Sequence, residues 1–300
     1  MIHHEVVVGP ATIGGPLGSS TGLLVGSIFY DKHSIVTDEW VGEFHENRAN
    51  ALIARVNALS VRYGHQMAFD VIAAAEEAME KYIAFVASKT ELPILINATD
   101  PDVRIAGLAT AGELGILDRC IFASLNEDTE DAELDALRKY RPAGVMILAS
   151  NISDLTPDGT CDMISGYFRP LLDDIGVKVP IVDLGTMDAP SVGLNLRGIT
   201  AVRERFGYPA GCAFSNCFPQ WTGLAEQGTE YVNLSLAAAL VACRMAGGDF
   251  LHYGIIEKAH PCVHASATVE VFLGFASQEL DGNPMDPNHS LYKMFKLGSQ

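Results

Sequence analysis

The sequence predicts an α/β protein built as a (β/α)8 barrel, on three observations. Eight short runs rich in β-branched and other apolar residues recur along the chain, and stretches with helical periodicity lie between them. The runs are apolar nearly throughout, as strands buried on both faces of a parallel sheet are. Eight such units in about 250 residues have the size of a closed barrel. An open, doubly wound sheet is the competing architecture, but no G-x-G-x-x-G follows the first run.

In chain order, residues 1–22 carry a valine run and many glycines, and are expected to form a β-hairpin plugging the lower end of the barrel. The strands are expected in LLVGSIFY (23–30), HQMAFDV (65–71), LPILINA (92–98) and RCIFASL (119–125), then AGVMILAS (143–150), VPIVDLG (179–185), AGCAFSN (210–216) and DFLHYGII (249–256). TDE (37–39) reads as a helix N-cap. In AEEAMEKYIAFVASK, the apolar residues Ala75, Met79, Tyr82, Ile83 and Val86 share one helical face, with Glu and Lys opposite. The run LSLAAALVAC (234–243) is too short to span a bilayer and reads as a buried helix, stopped by the glycine cap at Gly247. With no linker or repeat, residues 1–300 are read as one domain, with residues 1–22 as its extension.

A net charge of −17 without any Lys/Arg-rich block argues against nucleic acid and anionic lipid as partners. The N-terminus has neither a basic region nor a long apolar stretch, so no signal peptide is expected. Six dispersed cysteines without a CxxC suit reduced, buried thiols and a cytoplasmic protein.

Barrel chemistry gathers at the C-terminal ends of the strands. Those ends carry Asp70, Asn97 with Asp100, Ser124 with Asn126, Asn151, Asp183, Ser215 with Asn216, and Glu257, and none ends on Lys or Arg. In GCAFSNCFPQW (211–221), strand alternation would place Cys212, Phe214 and Asn216 on one face and Cys217 on the other, which speaks against a shared metal or a disulfide. Asp70 and Glu257 are the weaker candidates, because strand-end carboxylates often cap the next helix. A rim of amides and carboxylates without cations fits a neutral heterocycle rich in donors and acceptors. A pterin presents N–H and NH2 donors along one edge that a carboxylate can accept, whereas a phosphate would want Arg, Lys or a glycine-rich helix start.

SIFYDKHSIVTDE (27–39), LPILINATDPDVRIAGL, FGYPAGCAFSN and FLHYGIIE together resemble the tetrahydromethanopterin S-methyltransferase MtrH family, over residues 13 to 280. The middle motifs are also similar to those of methyltetrahydrofolate:corrinoid methyltransferases and, more loosely, dihydropteroate synthases. The resemblance implies a pterin-binding barrel. It implies that Asn97 stands where the folate:corrinoid enzymes carry a pterin-binding Asp, with Asp100 or Asp102 as replacement carboxylates. Asp183 matches a second pterin-binding Asp, and Asn216 an Asn that hydrogen-bonds near N5. Ser124 and Asn126 lie in a run that reads N-S-x-N in relatives, with Ala123 at its first position here. Glu257 joins this set as a further pterin contact.

The implied activity is methyl transfer in one-carbon metabolism, between a corrinoid and N5 of tetrahydrofolate or tetrahydromethanopterin, with Asn216 and Asp183 as the catalytic pair. The form expected is a stand-alone methylcorrinoid:tetrahydrofolate methyltransferase of an anaerobe, taking methyl groups from a methylated amine such as glycine betaine or from a methoxylated compound. No D-x-H-x-x-G cobalt-ligand motif is found, so a separate corrinoid protein would deliver the cobalamin; a homodimer is also in view. Two alternatives stay open. One is a non-catalytic pterin-binding subunit, which would bind without turnover. The other is a zinc enzyme using His260, Cys262 and His264 of HPCVH on an extended segment, which would carry stoichiometric metal. Against this second alternative, no metal site is expected.

Overall fold

The computed structural model describes residues 3–218, 220–282 and 286–294, with Asn216 described by its backbone alone. Eight parallel strands close into a barrel: β1 (Leu23–Ile28), β2 (Met67–Ile72), β3 (Ile94–Asn97), β4 (Cys120–Leu125), β5 (Gly144–Leu148), β6 (Ile181–Asp183), β7 (Ala210–Ala213) and β8 (Phe250–Ile255). Seven lie within their expected runs and β2 runs one residue beyond its own, to Ile72; β8 pairs with β1 in parallel (Phe250 with Leu23, Leu251 with Leu24) to seal the ring.

Two apolar cores result. Residues pointing outward from the strands pack under the helices, and Met79, Tyr82, Ile83 and Val86 of the helix Glu76–Ala87 meet them, buried on the face expected. Residues pointing inward form a separate cluster that includes Val25, Ala68, Leu95, Ile121, Met146, Ile181 and Phe250. Full burial of one such side chain is worth ~1.5–3 kcal/mol. Val6, Val8, Ala11 and Ile13 join this inner cluster from below, on an antiparallel hairpin of Glu5–Val8 and Ala11–Gly14. The hairpin expected in residues 1–22 is thus the barrel's floor.

Three local expectations give way. Asp38 of TDE lies in a two-stranded sheet, Val36–Asp38 against Glu43–Phe44, and caps no helix. β7 stops at Ala213 and the chain turns as a 3-10 helix over Phe214–Asn216, so strand alternation does not carry through to Asn216. HPCVH is not extended: it opens the helix Ala259–Asp281, where Cys262 is buried while His260 and His264 lie 3.3 and 3.4 Å from Tyr63 Oη. Among the described residues, no group of three potential ligands could hold a metal. Nor is any helix among them long and apolar enough to cross a membrane. All six cysteines are free and buried.

Candidate active site

The inner core dictates where the polar groups stand. Side chains two apart on a strand share a face, so the position one layer above each inner-core residue also points into the barrel, at its C-terminal mouth. Above Val25 stands Ser27; above Ala68, Asp70; above Leu95, Asn97; above Ile181, Asp183; above Phe250, His252. These five residues line a cleft of about 410 Å³, together with Ser124, Ser150, Thr186, Ser215 and apolar walls that include Met146, Leu148 and Met187. Among the described residues, no Lys or Arg lines it.

Asp70 is the hub. Its Oδ1 accepts from Asn97 Nδ2 at 2.9 Å, and its Oδ2 from Ser27 Oγ at 2.8 Å and His252 Nε2 at 3.0 Å. The His252 tautomer follows: Nδ1 accepts from the Gly254 amide at 3.2 Å, so Nε2 carries the proton given to Asp70. Burial alone would push the Asp70 carboxyl up. The hydrogen bond from His252, then those from Asn97 and Ser27, outweigh it and hold Asp70 below the usual carboxylate range. Asp70 caps no helix.

Asp183 contrasts with it. Oδ1 accepts one hydrogen bond, from the Gly185 amide at 2.8 Å. Burial pushes its carboxyl up to about 6, against the Gly185 amide, His252 and the Ala213 amide, while the negative charge of Asp70 adds to the rise. The cleft therefore holds one carboxylate saturated by three donors and one poised to exchange a proton near neutrality.

The remaining expected residues divide. Asn97, Ser124 and Asp183 line the cleft. Asp100 is exposed and caps the helix Pro101–Glu113, accepting from the amide of Asp102 at 2.9 Å, and neither residue reaches the cleft. Asn126 closes an Asx-turn, its Oδ1 accepting from Asp128 N at 2.8 Å. Asn151 does the same with Ser153 N and Asp154 N. The side chain of Asn216 lies outside the described residues.

Glu257 stands off the cleft in a turn after β8. It takes His33 Nε2 at 3.0 Å and the Tyr30 hydroxyl at 3.3 Å, and His33 holds its carboxyl below the usual range. His33 is buried and accepts the Phe29 amide on Nδ1, while Tyr30 stacks on its ring at 4.2 Å. This triad binds the SIFYDKH segment to the last strand's loop. Ser27 and His252 had no signal in strand-end position alone; counting two residues up from Val25 and Phe250 would have found both.

Comparison with known proteins bears on family and fold. A family model described as the tetrahydromethanopterin S-methyltransferase MtrH subunit matches residues 3–285. The MtrH protein of Methanothermobacter thermautotrophicus is 31% identical over 294 residues, covering 94% of each chain. That of Methanosarcina mazei is 30% identical over 304 residues, covering 96% of each. Among solved structures, a Xanthomonas albilineans dihydropteroate synthase in complex with indole-2-carboxylic acid and 6-chloroguanine superimposes with a TM-score of 0.62 at 15% identity, over 90% of this chain and 98% of that one. The Yersinia pestis dihydropteroate synthase gives 0.59 at 13%, over 90% and 98%. At these identities the structural likeness concerns the fold.

Proposed function

The chain belongs to the tetrahydromethanopterin S-methyltransferase MtrH family, and from that membership we propose that it is a methyltransferase acting between a corrinoid and N5 of a tetrahydropterin. The observation that carries this reading is the cleft at the strand tips, which among the described residues is lined by no Lys or Arg and into which the half-buried Asp183, held by the Gly185 amide, presents its carboxylate. A pterin edge rich in N–H donors would complete it, bridging the ring to a carboxylate that is mostly ionised at pH 7. The Met146, Leu148 and Met187 walls would cover the ring faces.

The corrinoid supplies the cobalt–carbon bond made or broken in the reaction. The residues of this chain hold the ring, exclude water and manage charge. On methylation of the pterin, the N5 lone pair forms the new N–C bond, the cobalt–carbon pair stays on cobalt, and the N5 proton must leave. Asn216, in the turn beside Ser215, is the residue proposed to face N5, because an amide can donate to the neutral nitrogen or accept from its protonated form. A Lys or Arg there would oppose the positive state. Orientation of this kind contributes several kcal/mol to a barrier, up to about 7–11 in the best cases.

The finer reading is a stand-alone enzyme using tetrahydrofolate, with the cobalamin on a separate corrinoid protein. Trp40, Ile152 and Trp221 are exposed on loops that follow β1, β5 and β7, and Met187 on the loop after β6, an apolar collar suited to a protein docking over the mouth. The test is anaerobic spectroscopy with methylcob(III)alamin and either tetrahydrofolate or tetrahydromethanopterin. Growth of the cob(I)alamin absorption band is expected. No band with either pterin, even with a corrinoid protein supplied, rejects the catalytic reading; pterin binding without turnover would instead identify a non-catalytic subunit.

A further inference from the structure

The hydrogen bonds on Asp70 decide which way round the Asn97 amide stands. An ionised carboxylate only accepts, so the amide must turn its NH2 towards Asp70, which it does at 2.9 Å, and its carbonyl oxygen away. Asn97 lines the cleft. Its Oδ1 takes no hydrogen bond among the described residues and is not one of their buried unpartnered atoms, so it keeps accessible surface. Asp70 itself is 1% exposed and carries three donors on its two oxygens, which leaves little of it to meet a ligand.

We infer that Asp70 is a positioning residue, holding Asn97 so that Oδ1 serves as the cleft's second fixed acceptor alongside the Asp183 carboxylate, and that this pair selects ligands with two N–H donors on one edge. The inference rests on the tetrahydropterin reading above and names the determinant of that specificity.

Like charges explain the arrangement. Asp70 and Asp183 already share the cleft, and a third carboxylate at position 97 would stand against Asp70 at hydrogen-bonding distance, forcing one of them to hold a proton. An amide oriented by a buried carboxylate gives the same acceptor without the charge. The negative group serving position 97 is therefore Asp70, one strand over on β2, and not Asp100 or Asp102, which belong to a helix cap.

Calorimetric binding of 5-methyltetrahydrofolate and 5-methyltetrahydromethanopterin to the full chain, without oxygen, tests this with the variants Asp70→Asn, Asn97→Asp and the double exchange. The wild type is expected to bind at least one of them. Asp70→Asn should weaken that binding roughly ten-fold, the loss of about one well-placed hydrogen bond, because an amide at 70 can turn either end towards Asn97. The double variant moves the carboxylate to 97 and sets a donor behind it, so its affinity should return to within about three-fold of wild type. Two outcomes overturn the inference: Asp70→Asn binding as tightly as wild type, or a folded double variant no tighter than the single one. Should Asp70→Asn not fold, Asn97→Asp decides, since two carboxyls sharing a proton must add a second step to the pH dependence of affinity, and a single step as in wild type rejects the assignment. A wild type that binds neither compound removes the tetrahydropterin reading and this inference with it.

Discussion

Asp70 and Asp183 face one cleft from β2 and β6, and their ionisation runs in opposite directions. The folded Asp70 carboxyl lies below its ordinary 3.8, so the stability it contributes is present above that value and is lost as pH falls through the lowered one. The folded Asp183 carboxyl lies near 6, so the fold binds its proton more tightly than the unfolded chain does. Its contribution therefore declines as pH rises from about 3.8 to about 6, and stays reduced above. Asp183→Asn should remove that penalty, raising the unfolding free energy at pH 7 by about 1–3 kcal/mol, with the gain shrinking towards pH 4; urea titrations at the two pH values measure it. The same variant should lower methyl transfer at least about ten-fold, and abolish the fall in wild-type rate expected as pH drops below about 6. At this scale, strand-end position led to Asn97, Ser124 and Asp183, which line the cleft. Asp100 and Asn126 carry the same side-chain chemistry but spend it on backbone amides two residues away, a competition that residue type cannot reveal. His252 and Ser27 escaped notice because each gains its role from a partner on another strand, and the β8–β1 closure that unites them is remote in sequence.

The strands were legible as elements because each is apolar on both faces, and all eight match their expected runs, β2 running one residue beyond its own. Their ends were not: hydrophobicity continues through Phe214 while the backbone has already turned, and HPCVH reads as extended only because helix periodicity is invisible in five residues. One element end governs the cleft. β8 bulges between His252 and Gly254, where the backbone takes φ +89°, and a Cβ at Gly254 would stand 2.5 Å from that of Ser215 on the cleft wall. Gly254→Ala should cost about 1–3 kcal/mol of stability through that strained φ and contact, and reduce activity by displacing Ser215; thermal unfolding and the cob(I)alamin assay together separate the two effects. A Tyr30→Phe change, by contrast, should leave stability within about 1 kcal/mol, because it removes one 3.3 Å hydrogen bond and keeps the stack on His33.

The whole barrel is held shut from beneath by a buried ionic clamp. Arg244 Nε meets Glu270 Oε1 at 2.7 Å, Arg203 pairs with Asp249, and Arg244 lies 3.8 Å from Asp249. The clamp also grips the start of the chain: Glu270 Oε1 accepts the Gly22 amide at 2.7 Å, Arg244 donates to Ser20 O at 2.7 Å, and Arg203 to Gly15 O at 2.8 Å. Arg244→Met should cost about 3–5 kcal/mol, since Glu270 would be left charged and fully buried with its main counter-charge gone; chemical denaturation measures the loss. None of this clamp could be seen in the sequence, where Arg203, Arg244 and Glu270 look like ordinary helix charges and Asp249 like a strand-flanking one, in a chain of net charge −17.

The closure has a consequence for the way the chain is born. β1 leaves the ribosome early, yet one of its edges waits for β8, and the floor hairpin's neighbours wait for Arg244 and Glu270. Until β8 has been translated, the growing sheet carries two unpaired edges, on β1 and on the latest strand, each open to a neighbouring nascent chain. A message cut short ahead of β8 would therefore be expected to yield insoluble polypeptide, with a holdase chaperone bound to it in place of a shortened but working barrel.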